Sequence, residues 1–210
     1  MSFINFKNKE VLLKIVYYGP GMCGKTTNLQ TIHHMIHPTV RGDLISVATA
    51  GERTLYFDFM PLIAQAIEGY RTRFQLYTVP GQVIYNQTRR LVLRGVDGVV
   101  FVADSQWSQM QENVESLANL DENLALQRDR MGEIPCVMQY NKRDLPDAAP
   151  VHYMEYLLNN RAVQQPSFSA VATTGTGVFE SLNMIARLVL HRFLLAGRNT
   201  ESAVREMVLV

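Results

Sequence analysis

An α/β domain, with a mostly parallel six-stranded sheet covered by helices on both faces, is what this 210-residue sequence predicts. Two observations lead there. Apolar runs of strand length alternate along the chain with stretches of helical period. The first long run, Val11–Tyr18, also leads straight into the glycine-rich string GPGMCGKT at residues 19–26. Composition agrees: 47% hydrophobic and 19% charged residues are ordinary for one globular domain, and the length supports a substantial core.

The elements follow in order. VLLKIVYY (11–18) reads as a buried strand, and a helix opening in the glycine string continues through Asn28–Ile36. Thr54–Phe59 and Arg71–Val79 are strands rich in aromatic and β-branched residues. Val83–Leu93 is a short helix and Gly98–Asp104 (GVVFVAD) a buried strand. Met110, Val114, Leu117 and Leu124 share one helical face. Pro135–Tyr140 is a strand, Val151–Asn159 a helix and Phe168–Val171 a short last strand. Val178, Leu182, Ile185, Val189 and Phe193 mark a long amphipathic helix ending near Gly197. With no internal repeat or low-complexity segment, the expected domain is 1–197. Residues 198–210 form a tail or short helix, with Ala203, Met207 and Val208 on one side.

Several function classes recede. A formal net charge of +1 makes no electrostatic case for nucleic acid or an anionic membrane. Two cysteines, Cys23 and Cys136, without a C-x-x-C pair imply neither a disulfide scaffold nor a zinc site. No apolar run approaches the roughly 18 residues of a spanning helix, and MSFINFKNKE lacks a signal-peptide pattern. Ser2 in second place and a C-terminus without a prenylation cysteine leave no lipid anchor. A cytoplasmic protein is expected.

GPGMCGKT matches G-x-x-x-x-G-K-[ST] in the strand-to-helix setting that motif requires. Glycines let backbone N–H groups approach phosphates, and the helix N-terminus adds positive potential. Gly19, Gly21, Met22, Cys23, Gly24 and Thr27 are therefore expected around the nucleotide, with Lys25 reaching the β- and γ-phosphates and the Thr26 hydroxyl ligating Mg²⁺. Gly21 stands where a side chain would crowd the γ-phosphate and the attacking water. NKRD, 141–144, decides the base: the Asp144 carboxylate accepts from both N–H donors on the guanine edge, where adenine presents an acceptor. Asn141 can bridge to the phosphate loop and the Lys142 stem can cover the ring. SAV, Ser169, Ala170 and Val171, follows the last strand and is expected to offer the Ala170 N–H to guanine O6. In LYTVPGQVIY (76–85), Gly81-Gln82 reads as a γ-phosphate sensor, but Thr78 stands three places before the glycine where most nucleotide switches carry an Asp.

With these motifs in this order the chain resembles the Ras-like small GTPases. GPGMCGKTTN, ERTLYFDFMP, TVPGQV, LRGVDGVVFVADSQ and QYNKRDLP resemble one branch in particular, the MglA-like bacterial GTPases, from about residue 3 to residue 196. The resemblance implies a Ras-like P-loop GTPase domain that hydrolyses GTP to GDP with Mg²⁺ held by Thr26 and Thr54. It makes Thr78 the family's own form of the motif. Asp58, on the neighbouring predicted strand, reads either as an electrostatic substitute for the missing acid or as a solvated or locally paired strand residue. The resemblance further implies catalytic roles for Lys25, Thr54, Gln82 orienting water, and Arg53 as an arginine finger in cis. The long connection from Thr26 to Thr54 suggests an enlarged, mobile first switch. Control of cell polarity and motility is implied, with recruitment to a cell pole, polarity and motility effectors, and an MglB-like Roadblock homodimer as activating partner.

Rival readings are a non-hydrolysing GTP-binding scaffold, which intact Gln82 and Arg53 disfavour, and a P-loop ATPase or nucleotide kinase, which NKRD disfavours. His33 and His37, spaced i, i+4, lack a third zinc ligand. Cys23 reads as a small apolar filler, and the methionines as core packing.

Overall fold

In a computed structural model, residues 3–5, 10–47, 57–63, 71–127 and 133–207 are described. Among these residues eight strands form one sheet: β1 (Phe3–Asn5), β2 (Glu10–Tyr18), β3 (Ile45–Val47), β4 (Phe57–Ile63), β5 (Arg71–Thr78), β6 (Gly98–Asp104), β7 (Cys136–Asn141) and β8 (Ser167–Ser169). Their order is β3-β4-β5-β2-β6-β7-β8, with β1 paired to β2. The run from β5 to β8 is parallel, while β1, β3 and β4 pair antiparallel. The expected six strands become eight because β1 and β3 each span three residues, too short to show a periodicity of their own.

Helices α1 (Lys25–Met35), α2 (Asn86–Leu93), α3 (Met110–Ala125), α4 (Val151–Leu158) and α5 (Val178–Met207) cover the sheet. The period-2 alternation of strands sorts the core into two layers. Val16, Tyr18, Val99 and Phe101 face Leu117, Leu120 and Leu124 of α3 and Met154 of α4. Ile15, Tyr17, Val100 and Val102 face Leu29 and Ile32 of α1 and Leu182, Ile185 and Val189 of α5. Helix α5 lies so close that a Cβ at Gly98 would stand 2.4 Å from Val189 Cγ2.

Two expectations change. Val114 is 40% exposed, so the buried face of α3 runs through Asn113, Ser116 and Leu117 instead. Helix α5 also continues through Gly197 to Met207. An interior glycine costs a helix only about 1 kcal/mol, and the Ala, Glu and Arg residues beyond it are good helix formers. Of the 26–54 connection, a one-turn 3₁₀ helix at Pro38–Val40 and strand β3 run along the sheet edge, with Gly42 N–H donating to Pro61 O at 2.9 Å.

Candidate nucleotide site

The phosphate loop turns between the end of β2 and the start of α1. Gly19 and Gly24 hold φ of 141° and 102°. A Cβ would stand 2.1 Å from Val102 O at Gly19 and 2.2 Å from Asn141 Nδ2 at Gly24. Both positions therefore require glycine for conformation and for close approach. Gly21 is the opposite case, since a Cβ there would meet nothing within 4 Å. No side chain caps α1, so its first amides remain available to an anion. Lys25 is 6% exposed, and its ammonium donates to Gly19 O at 3.0 Å and Pro20 O at 2.5 Å, with Cys23 Sγ at 3.5 Å. Burial lowers its pKa from the ordinary lysine value, partly opposed by Cys23. The phosphate loop thus holds a cation close against its own carbonyls.

On the base side, a cleft of about 190 Å³ is lined by Gly24, Thr27, Asn141, Lys142, Asp144 and Val171, among others. Asn141, at 2% exposure, joins three segments. Its Nδ2 donates to Cys23 O at 2.8 Å and its Oδ1 accepts from Ala172 N–H at 2.9 Å. Lys142 takes a left-handed φ of 64° and its ammonium meets Asp104 Oδ2 at 2.5 Å. That ion pair lays the lysine stem along the cleft. Asp144 is exposed at the lining, and its carboxylate accepts no hydrogen bond from any described residue. Both oxygens remain free for a donor pair.

One expectation shifts here. The Ala170 N–H donates to Tyr140 O at 2.8 Å, and Ala170 O accepts from Arg143 N–H. The backbone leaves the sheet only after this bond, so Val171, Ala172 and Thr173 line the cleft while Ser169 and Ala170 do not.

On the γ-phosphate side, four residues from α1, β3, β4 and β5 meet at one carboxylate. Thr26 Oγ1 donates to Asp58 Oδ2 at 2.6 Å and Ser46 Oγ donates to Asp58 Oδ1 at 2.7 Å. Thr78 Oγ1 accepts from the Asp58 N–H at 2.8 Å and donates to Asp58 Oδ2 at 3.1 Å. Asp58 is 8% exposed. Sheet register brings these groups together, with Ser46 opposite Asp58 and Thr78 one strand beyond. Thr78 thus holds an acid that stands on the adjacent strand.

Gly81 lies against the phosphate loop, where a Cβ would stand 2.3 Å from Gly21 Cα. Gln82 is exposed, and its side chain makes no hydrogen bond among the described residues. Arg53 and Thr54 lie outside the described residues. Among the described residues no group of three or more His, Cys, Asp or Glu side chains converges. Sequence reasoning missed Ser46 and Asp104, which respectively hydrogen-bond Asp58 and pair with Lys142. Only strand pairing reveals them.

Comparison with known proteins matches residues 1–189 to the ADP-ribosylation factor (Arf) family. The chain is also 56% identical over 190 residues to the mutual gliding-motility protein MglA of Myxococcus xanthus strain DK1622, covering 90% of this chain and 96% of that protein.

Proposed function

The chain belongs to the Arf family, and from that premise we propose that it is a GTP/GDP-controlled switch in cell polarity and motility. The protein is a small GTPase that binds guanine nucleotide. The observation that carries the assignment of its site is Asn141, which ties the phosphate loop to the base cleft through Cys23 O and Ala172 N–H. One side chain thereby fixes the distance between the phosphate cradle and the unpaired Asp144 carboxylate. Competition calorimetry tests the reading: GTP and GDP outcompete ATP, and equal affinities would defeat it.

The oxygen-rich set at Asp58 fits Mg²⁺, which favours one or two carboxylates together with phosphate oxygens and water. Thr26, the expected Thr54 and an outer carboxylate at Asp58 would hold it. When bound, the ion neutralises charge on the β- and γ-phosphates. Thr78 and Ser46 orient the Asp58 carboxylate by donating to it. In this reading the acid has moved to the neighbouring strand, and Thr78 positions it.

Lys25 compensates the phosphates, and its ammonium exchanges loop carbonyls for phosphate oxygens as the nucleotide enters. Gln82 orients the attacking water, and Arg53 supplies charge in cis. Because the Gln82 side chain is exposed and unpaired, the protein alone turns over slowly. A partner that orders this segment accelerates it.

That partner is a homodimeric Roadblock-type protein of the MglB kind. The name of the Myxococcus relative, mutual gliding-motility protein, supports the motility setting. Exposed apolar side chains beside the switch elements, Ile45, Ile84 and Leu91, suit a partner surface there. Phe59 packs on its cross-strand partner Tyr77 with ring centroids 4.8 Å apart and the planes tilted by 36°. Among the described residues no helix is long and apolar enough to cross a membrane. A cytoplasmic pool, recruited to a cell pole in one nucleotide state, completes the proposal. Gel filtration of the GTP-analogue form with the candidate dimer gives a complex that the GDP form lacks.

A further inference from the structure

We propose that Arg89 is the positioning residue of the γ-phosphate sensor, and that helix α3 sets its orientation. The inference rests on the GTPase reading and adds a residue outside every nucleotide motif.

Arg89 stands on α2 and is fully buried. Its Nε donates to Pro80 O at 2.9 Å and its Nη2 donates to Gly81 O. On the other side, Nη1 donates to Asn119 Oδ1 at 2.8 Å and to the Tyr18 hydroxyl oxygen at 3.4 Å. No carboxylate pairs with it among the described residues. A buried cation held only by neutral acceptors is costly, and docking α2 on α3 alone would be met by apolar side chains. The planar fork instead reaches the two successive carbonyls from two different nitrogens and Asn119 from a third, a fixed spread that a single ammonium nitrogen does not have.

Peptide geometry supplies the consequence. In a trans peptide the C=O and N–H of one unit point in opposite directions, and no cis bond occurs among the described residues. Holding the Pro80 carbonyl therefore aims the Gly81 N–H away from Arg89. Holding the Gly81 carbonyl does the same for the Gln82 N–H. Gly81 already lies against Gly21 of the phosphate loop. The clamp thus presents two amides on the phosphate side and sets the backbone from which Gln82 projects.

The clamp is itself oriented. Asn119 Oδ1 also accepts from the Tyr18 hydroxyl at 2.7 Å and from Asn123 Nδ2 at 3.2 Å. Asn119 and Asn123 both donate to Asn86 Oδ1, at 3.1 and 2.8 Å. The guanidinium lies over the Tyr18 ring, 5.1 Å from its centroid. A polar seam between α2 and α3 thus fixes the arginine that fixes the sensor.

The test uses the full chain as wild type, Arg89→Lys and Asn119→Ala. GDP affinity, GTP-analogue affinity, single-turnover hydrolysis and Tm are measured on each. Arg89→Lys keeps the charge and loses the fork, so its ratio of GTP-analogue to GDP affinity falls, while GDP affinity holds. Hydrolysis falls on the order of 10²-fold, the effect expected of a misplaced reacting group. Asn119→Ala keeps both carbonyl bonds and removes the closer acceptor of Nη1, moving the same ratio in the same sense by less. It also reads the proposal if Arg89→Lys does not fold. A parallel loss of GDP and GTP-analogue affinity with a lowered Tm marks a merely structural role and overturns the proposal. So does an unchanged ratio in both variants. Wild type that binds no GTP would overturn the GTPase reading itself.

Discussion

The two ends of the nucleotide site are built differently. At the base end, Asn141 is 2% exposed and hydrogen-bonded to two other segments, and Lys142 is held by Asp104 at 2.5 Å. At the γ-phosphate end, Gln82 is exposed with no side-chain partner among the described residues. Under the proposed function the difference teaches that nucleotide choice rests on groups already in place, whereas hydrolysis waits for a group that has yet to be placed.

The sharpest way to break this contrast is at Asp144. Its carboxylate is exposed at the cleft and accepts no hydrogen bond from any described residue, so Asp144→Ala removes guanine selectivity without disturbing the loop. A site left with unpaired polar groups discriminates by about 10⁴–10⁵, and competition of ATP against GTP measures the loss. Next comes Arg53→Ala, which leaves nucleotide affinity intact and lowers partner-stimulated turnover by about 10³–10⁵. Stimulated hydrolysis at the wild-type rate would move the finger from this chain to its partner.

A smaller effect separates the acid from the position it usually occupies. Asp58→Asn weakens Mg²⁺-dependent retention of GDP by about 10–100-fold, read as the release rate with and without a chelator. Thr78→Asp in that background restores part of it by returning a carboxylate to the site. If Asp58→Asn releases GDP no faster in Mg²⁺, the carboxylate serves only the strands. The smallest effect is Ser46→Ala, which removes one donor to Asp58 and costs about 1 kcal/mol of stability by thermal unfolding.

The same contrast explains what was legible in the sequence. The phosphate loop was readable because its glycines answer local demands, a positive φ at Gly19 and Gly24 and contact with Val102 O and Asn141. Asp144 stood out in the sequence because the proposed discrimination needs a single side chain, and the structure has it exposed at the cleft. Strands β2, β6 and β7 were readable as apolar runs and β5 from its aromatic and β-branched residues, whereas three-residue β3 was not. Without β3 the role of Ser46 stays hidden, because its meeting with Asp58 depends on cross-strand register. The last motif was placed two residues early at its start. Strand pairing continues through Ser169 and the Ala170 amide, a detail of register that the tripeptide does not carry. Gly197 suggested a helix end, but helix-forming neighbours carry α5 past it.

Gln82→Ala separates binding from hydrolysis when GTP affinity and single-turnover hydrolysis are measured on the same preparation. GTP and GDP affinities are expected to match wild type, because Lys25, Asn141 and Asp144 hold their places without Gln82. Hydrolysis, alone and with an activating partner, is expected to be lost. Hydrolysis at the wild-type rate, or a parallel collapse of GTP affinity, would contradict a site whose binding half is built in advance of its hydrolytic half.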